Sequence, residues 1–483
     1  MTVHDRDTPV RDIVVALWLK ALEYDDPEPE DRWFDFGGDS LGAVQLASRL
    51  EREGISVDIA EFFKSPTLQW LVQAASDAVT AGRDPQAENV LSSPTLEQLP
   101  LTPTQLFTVV GDSDARNWHN DHLTVRLCDH ATREGIKRAV QSLATAHPAL
   151  SARFTCTDGQ WTQTLDPAGL RSIPLVPLAV KGPDDIGPVD AAVREHGARF
   201  DIARGDVCVA LIWEHEERPI ALTLLFHHLC ADGHSVDVLQ HDLVAALHQP
   251  AGSVPQEDNY LPWLNRLAGQ TPGRSTTATE ITFNGERAIP VSKLQHAELR
   301  LETGALGSRE IAPALLAAMS RGARELSDVT ARSVDITWHG REPIPGWPSL
   351  ASTVGWFSQL RRLELPIGTA WGMPEAGQAL QRLEQANASF LIGESTTALL
   401  TSPALLYLNY RGSLRNTLCA PVGDCQPLDL DFGPQSSPDM TTPYHLRVVA
   451  DRIDGGVRLG LKYRADSPVA TGIIESLNEG LAP

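Results

Sequence analysis

One stretch constrains this chain more than any other: Phe226-His227-His228-Leu229-Cys230-Ala231-Asp232-Gly233-His234-Ser235. The run before it, Ala221 to Phe226, is apolar and reads as a buried strand. In the run after it, Val236, Leu239, Leu243 and Leu247 share one helical face. Two adjacent histidines therefore stand where a strand ends and a loop enters a helix. Side chains alternate along a strand, so one histidine turns to the core and the other to a cleft. Asp232-Gly233 closes the loop: Gly233 permits a tight backbone, and Asp232 is placed to cap the helix or pair with an arginine. A lone histidine at a strand end is usually a satisfied core residue. The full spacing His-His-x-x-x-Asp-Gly between strand and helix is far more specific.

At 483 residues the chain suggests about three compact units. A net charge of −22 argues against nucleic acid or an anionic membrane as partner, because both require basic patches. No apolar run reaches transmembrane length, and Met1 to Arg11 is polar and charged, unlike a secretory signal. The six cysteines form no CxxC pair and read as free thiols in a reducing cytoplasm. The histidines show no metal-binding spacing, and no P-loop or dinucleotide fingerprint is present.

The first eighty residues read as four short helices in a small bundle. Thr8-Pro9-Val10 suits a helix start, and Ile13, Val14, Leu17, Trp18 and Leu22 form its apolar stripe. Asp25 to Pro29 breaks it. Leu41, Val44, Leu46 and Leu50 mark a second helix, and shorter ones are expected at 58–63 and 67–78. Ser40 stands at the start of the second, where free N–H groups and the helix dipole favour a phosphodiester. Its bland role is that of a helix cap. Residues 81–98 are rich in Gly, Pro and Ser and read as a linker.

Phe36-Gly37-Gly38-Asp39-Ser40-Leu41 resembles the attachment motif of peptidyl carrier proteins, and His227-His228-x-x-x-Asp232-Gly233 resembles the HHxxxDG motif of the condensation superfamily of nonribosomal peptide synthetases. Leu101-Thr102-Pro103-Thr104-Gln105 matches the opening of such domains. The resemblance implies a multidomain fold: an N-terminal all-α four-helix carrier bundle over 1–80, then an α/β two-lobed chloramphenicol-acetyltransferase-like domain, with lobes at 99–270 and 271–483. It implies 4'-phosphopantetheine attached covalently to Ser40. It also implies a phosphopantetheinyl transferase as partner, with an adenylation domain or other synthetase modules supplying the acyl group. His228 would act on the tethered substrate, and Asp232 would hold the loop.

Within the superfamily, His339-Gly340-Arg341-Glu342, Val354-Gly355-Trp356-Phe357, Leu408-Asn409-Tyr410 and Trp118-His119-Asn120-Asp121 resemble segments of epimerization domains. The first expectation for the reaction is therefore Cα epimerization of a carrier-bound aminoacyl or peptidyl thioester. Inversion requires proton removal on one face and delivery on the other, by groups of tuned pKa. Asn409 and Tyr410 are candidates for positioning; a buried tyrosine that only satisfies its own hydroxyl is the alternative. One departure matters. Thr337 stands where the epimerase glutamate is found, and Trp338 where a glycine is found. A threonine hydroxyl is no carboxylate base, and His119 and His122 are replacements by position. The alternatives are a repurposed site for amide or ester formation, cyclisation, elimination or hydrolysis, or a docking platform without catalysis.

Overall fold

The computed structural model describes residues 4–22, 24–38, 40–81, 98–110, 115–165, 172–248, 258–270, 288–304, 306–323, 333–342, 344, 347–366, 371–385, 404–412, 425–433, 435–453 and 455–481. Residues 82–97 of the expected linker, residues 271–287 and Asp39 lie outside them.

The N-terminal unit is the expected four-helix bundle: α1 (His4–Leu22), α2 (Ser40–Arg52), α3 (Ile59–Lys64) and α4 (Leu68–Ala81). Helix α1 starts earlier than Thr8-Pro9 suggested, so Pro9 lies within it. At the sixth helical position a proline removes its own N–H bond and crowds the carbonyl four residues earlier. Trp18, Trp33 and Phe62 are fully buried, with Trp18 and Trp33 edge to face at 5.2 Å. Gly38 packs against the Trp33 ring so closely that a Cβ would overlap it.

Then follow α5 (Pro103–Val110), β1 (Asn120–Arg126), α6 (Arg133–Ala146), β2 (Arg153–Thr157), β3 (Gln160–Thr164), β4 (Leu175–Ala179), α7 (Gly187–Gly197), β5 (Cys208–His215), β6 (Arg218–His227), α8 (Gly233–His248) and α9 (Tyr260–Gln270). The second half supplies β7 (Ile289–Pro290), β8 (Gln295–Glu302), α10 (Ser308–Gly322), β9 (Ser333–Trp338), β10 (Gln359–Glu364), α11 (Met373–Gln385), β11 (Leu406–Tyr410), β12 (Gln426–Leu428), β13 (Thr441–Thr442), β14 (Leu446–Ile453), β15 (Gly456–Tyr463) and a last helix, α12 (Pro468–Asn478).

Two sheets define two lobes. The first has the order β12-β1-β6-β5-β4, and the second β10-β9-β11-β14-β15-β8. Strand β6 is central in the first. Leu222, Leu224 and Phe226 face a core that includes residues of α6 and α8, while Ala221 and Leu225 face another that includes residues of α7. Burial on both faces is why the run reads as continuously apolar. Each such side chain contributes roughly 1.5–3 kcal/mol. The second lobe packs α10, α11 and α12 on one face of its sheet, around Ala314, Met319, Ala376 and Ile473.

The lobes are not consecutive pieces of chain. Strand β12, from the second half, pairs antiparallel with β1 of the first sheet. Leu350, Val354, Trp356 and Phe357 also join the first lobe's core.

Candidate active site

The His-His stretch lies where β6 runs out: His227 ends the strand and His228 opens a 3-10 turn, so the two rings part. His227 is buried: its Nε2 donates to the Arg116 carbonyl at 2.8 Å and its Nδ1 accepts from the Leu229 amide at 3.1 Å. Burial pushes it down to about 4, against the Arg116 carbonyl, so it stays neutral and serves the loop. His228 is only partly buried. Its amide donates to the His119 carbonyl at 2.7 Å. Its ring stacks on Trp356 at 4.2 Å and on His119 at 4.9 Å, nearly parallel to the latter at 16°. Nδ1 of His228 has no hydrogen-bond partner among the described residues. Burial and then the charge of His228 hold His119 well below the usual histidine range, with further repulsion from Arg447 and Lys462. His119 is therefore the neutral ring of the stack near neutrality.

Asp232 does both things its position allowed. Oδ1 accepts from the Ser235 amide at 3.0 Å, capping α8, and from Arg341 Nη2 at 2.7 Å. Oδ2 accepts from the amides of Phe357 and Ser358 at 3.0 and 3.2 Å. Burial alone would raise this carboxyl; Arg341 and these donors hold it below its usual range. Arg341 also donates to the Leu350 and Thr353 carbonyls. Thus the His339-Gly340-Arg341-Glu342 and Val354 to Phe357 segments wrap the motif loop, and Trp356 reaches His228 from there. Gly340 has φ +67°, and a Cβ on it would overlap the Phe357 carbonyl. The tight backbone expected at Gly233 is not found: its φ is ordinary, and a Cβ would meet nothing within 4 Å, because α8 already begins there.

In the second lobe, alternation sorts the candidates. Val334 and Ile336 face the helices, so Asp335 and Thr337 take the other face. On β11, Leu406 and Leu408 belong to the same core and Tyr410 packs against it, leaving Tyr407 and Asn409 on the face of Thr337. Tyr410 is thus separated from Asn409 and Thr337, which corrects its place beside them as a candidate positioning residue. Thr337 donates its hydroxyl proton to the Tyr407 hydroxyl at 2.8 Å. Trp338 Nε1 donates to the Glu342 carboxylate, which also accepts from buried Arg361 at 3.1 Å. Glu342 is therefore held in a structural knot. His122 donates to the Leu430 carbonyl at 3.0 Å and packs on Phe432, whereas His119 meets His228. The stack of Trp356 and the place of Tyr407 escaped the sequence reading, although period-two alternation on β11 carries the signal for Tyr407.

Ser40 is the first residue of α2 and partly exposed, preceded by Gly37 at φ +91°. The same helix seats the carrier on the large domain. Gln45 donates to Asp237 on α8 at 3.3 Å, Ser352 donates to Glu51 at 2.8 Å, and Arg52 pairs with Asp242 at 3.4 Å. Ala351 is buried within the carrier's own core. Burial raises Asp237 to about 8, against Arg49 and Arg52. Asp242 also accepts from His147 at 3.0 Å, and His147 donates to Asp258 at 2.8 Å.

Comparison with known proteins fits this geometry. Residues 12–75 match the phosphopantetheine attachment site family, and residues 96–278 match the condensation domain family. The chain is a phosphopantetheine carrier domain followed by a condensation-type domain. Chondramide synthase cmdD of Chondromyces crocatus is 26% identical over 389 residues, 73% of this chain and 10% of that protein. Bacitracin synthase 3 of Bacillus licheniformis is 24% identical over 392 residues, 74% of this chain and 6% of that protein. The chain thus spans a small fraction of these relatives. The epimerization domain from the third module of tyrocidine synthetase B shares the condensation-type fold, with a TM-score of 0.60, 17% identity, and coverage of 81% of this chain and 98% of that one. So does the X-domain from teicoplanin biosynthesis, with a TM-score of 0.59, 18% identity, and coverage of 81% and 96%. The carrier domain implies covalent 4'-phosphopantetheine.

Proposed function

We propose that the carrier presents an acyl group tethered through Ser40, and that His228 moves the proton as that group passes to an amine or hydroxyl nucleophile. Ser40 suits the attachment: it is partly exposed, and its hydroxyl stands at the open end of α2. When bound, phosphopantetheine supplies a flexible tether whose thiol holds acyl groups as thioesters. A phosphopantetheinyl transferase must install it, and synthetase modules must supply the acyl group.

The observation that carries the reading is the one-sided placement of acid–base groups. His228 is only partly buried, its ring is steadied by Trp356 and His119, and its Nδ1 has no hydrogen-bond partner among the described residues. His119 stacks flat on it, so both rings belong to the same side. Across the lobes, position 337 is a threonine committed to Tyr407, and Glu342 is committed to Arg361. One base serves transfer to a nucleophile; inversion at Cα needs two on opposite faces. Asp232 and Arg341 act as positioning residues by fixing the loop that holds His228.

Cα epimerization is the second reading. It is favoured by the His339 to Glu342 and Val354 to Phe357 segments, which cluster around the motif loop. Loading Ser40 with aminoacyl groups in deuterated water, with and without an amine acceptor, separates the two. Transfer predicts acceptor-dependent loss of the thioester without deuterium at Cα, reduced roughly 10²–10⁴-fold by His228→Ala. Deuterium at Cα without transfer would overturn the first reading for the second. Products unchanged in His228→Ala would leave a docking platform.

A further inference from the structure

The face of the second sheet that carries Thr337 and Asn409 also carries two cations. In register across it stand Arg362, Asp335, Tyr407, Arg447, Lys462 and His296, one residue from each strand. Leu446, Val448, Leu459 and Leu461 turn to the helices, so Arg447 and Lys462 point away from that core. They are direct cross-strand partners, an arrangement that is destabilising for like charges.

Among the described residues neither charge is neutralised. Asp335, the one carboxylate of the row, is held by Arg362 through two bonds of 2.8 and 3.1 Å, and it accepts from the Ala404 amide and the Tyr444 hydroxyl. Among the described residues no carboxylate forms an ion pair with Arg447 or Lys462. The Arg447 Nε is buried without a hydrogen-bond partner, and its guanidinium lies 5.0 Å over the Tyr407 ring. Burial and the Arg447 charge push Lys462 down from its usual range. Both cations repel a proton on His119, the ring that stacks on His228. Two part-buried, uncompensated cations in a chain of net charge −22 are costly unless a ligand answers them.

We infer that Arg447 and Lys462 form a subsite for an anionic oxygen group, and that the tethered acyl group carries a carboxylate beyond its thioester. The inference rests on the reading of His228 as the group that works on that acyl chain, and it names the substrate class. The carboxylate of a dicarboxylic or acidic aminoacyl group would meet a guanidinium and an ammonium side by side. The other anion of the system, the phosphate on Ser40, belongs to the opposite end of the tether.

The test measures binding to the full, unloaded chain by calorimetry. The probes are stable amides of aminopantetheine, in which nitrogen replaces the thiol sulfur, tipped with a glutaryl group or with the neutral pentanoyl group, each with and without the 4'-phosphate. The expected result is a preference of about tenfold or more for the glutaryl tip. Lys462→Met should abolish that preference and Lys462→Arg should keep it. Equal binding of the two tips, no binding of either, or a preference that follows the phosphate alone overturns the subsite. Turnover of loaded carrier by wild type and His228→Ala is read in parallel. Equal binding with His228-dependent turnover removes the subsite and leaves the proposed function standing. Selective binding without such turnover keeps the subsite and removes the function.

Discussion

Replacing Arg341 with methionine tests what holds the two lobes to the motif loop. Arg341 is 3% exposed, and its guanidinium makes five contacts: Asp232 at 2.7 Å, Ser235 Oγ at 2.8 Å, and the carbonyls of Leu350, Thr353 and Gly355 at 2.6, 2.7 and 3.4 Å. Methionine keeps the stem volume over the Phe357 ring and removes the charge. Asp232 would then stay buried without its cation. Breaking a buried pair from one side costs about 3–5 kcal/mol. Two features move the figure within that range. Asp232 keeps the Ser235 hydroxyl and three amides, which lowers the cost. The Leu350 and Thr353 carbonyls each lose a charged donor, which raises it by about 1–3 kcal/mol apiece at most.

The assay is urea denaturation of the full chain, following the transition in which the large domain unfolds. A lower midpoint at unchanged slope measures stability. The double variant with Asp232→Asn closes a cycle, and neighbours in one network should show coupling of roughly 0.5–3 kcal/mol. A loss below about 1 kcal/mol for Arg341→Met, with no coupling, would refute the idea that this pair locks the loop.

Two further outcomes concern the carrier seat. Burial lowers His147, but its hydrogen bonds to Asp242 and Asp258 prevail and raise it from 6.5 to about 9. Its stabilisation, ~3 kcal/mol, is fully present below 6.5 and lost as pH rises through about 9. Unfolding of His147→Gln across that window should vary less with pH. Asp237 holds its proton up to about 8 when docked against Gln45, against an ordinary value of 3.8. Docking should therefore weaken as pH rises from 3.8 towards 8, and Asp237→Asn should flatten the dependence, as fluorescence energy transfer between labels on carrier and large domain would report.

What was legible in the sequence was what local periodicity encodes. The apolar run into His227 and the helix after Gly233 appear as read, because each buries a face set by its own spacing. The inward turn of His227 agrees with its place at the end of the strand, whereas His228 already opens a 3-10 turn that period-two alternation does not describe. Tyr410 was misplaced because the resemblance named a segment rather than a face; counting from Leu406 and Leu408 puts it in the core and promotes Tyr407. Trp356 on His228 and β12 beside β1 are contacts between segments far apart in the chain, and no local period announces them. The cations Arg447 and Lys462 are ordinary surface residues in sequence; only the antiparallel register makes them a pair.

The carrier and the motif loop share supports. Helix α8 begins at the motif loop, capped by Asp232, and its Asp237 and Asp242 meet α2 of the carrier. From Arg52 the contacts run through Asp242 to His147 and on to Asp258. Oδ2 of Asp258 also accepts from the Val354 amide at 3.1 Å, two residues before the tryptophan that stacks on His228. Ala351, buried in the carrier's core, accepts from His234 of the motif stretch at 2.7 Å. Residues 349–358 therefore touch the carrier at one end and His228 at the other. Undocking would expose Asp242 and Ala351 together, at a cost shared between an ion pair and apolar burial. A chain of contacts becomes coupling only where an element has two states that both ends bias. The docked carrier supplies one such state, and the segment from Ser349 to Ser358 is where a change in docking would meet the geometry of His228.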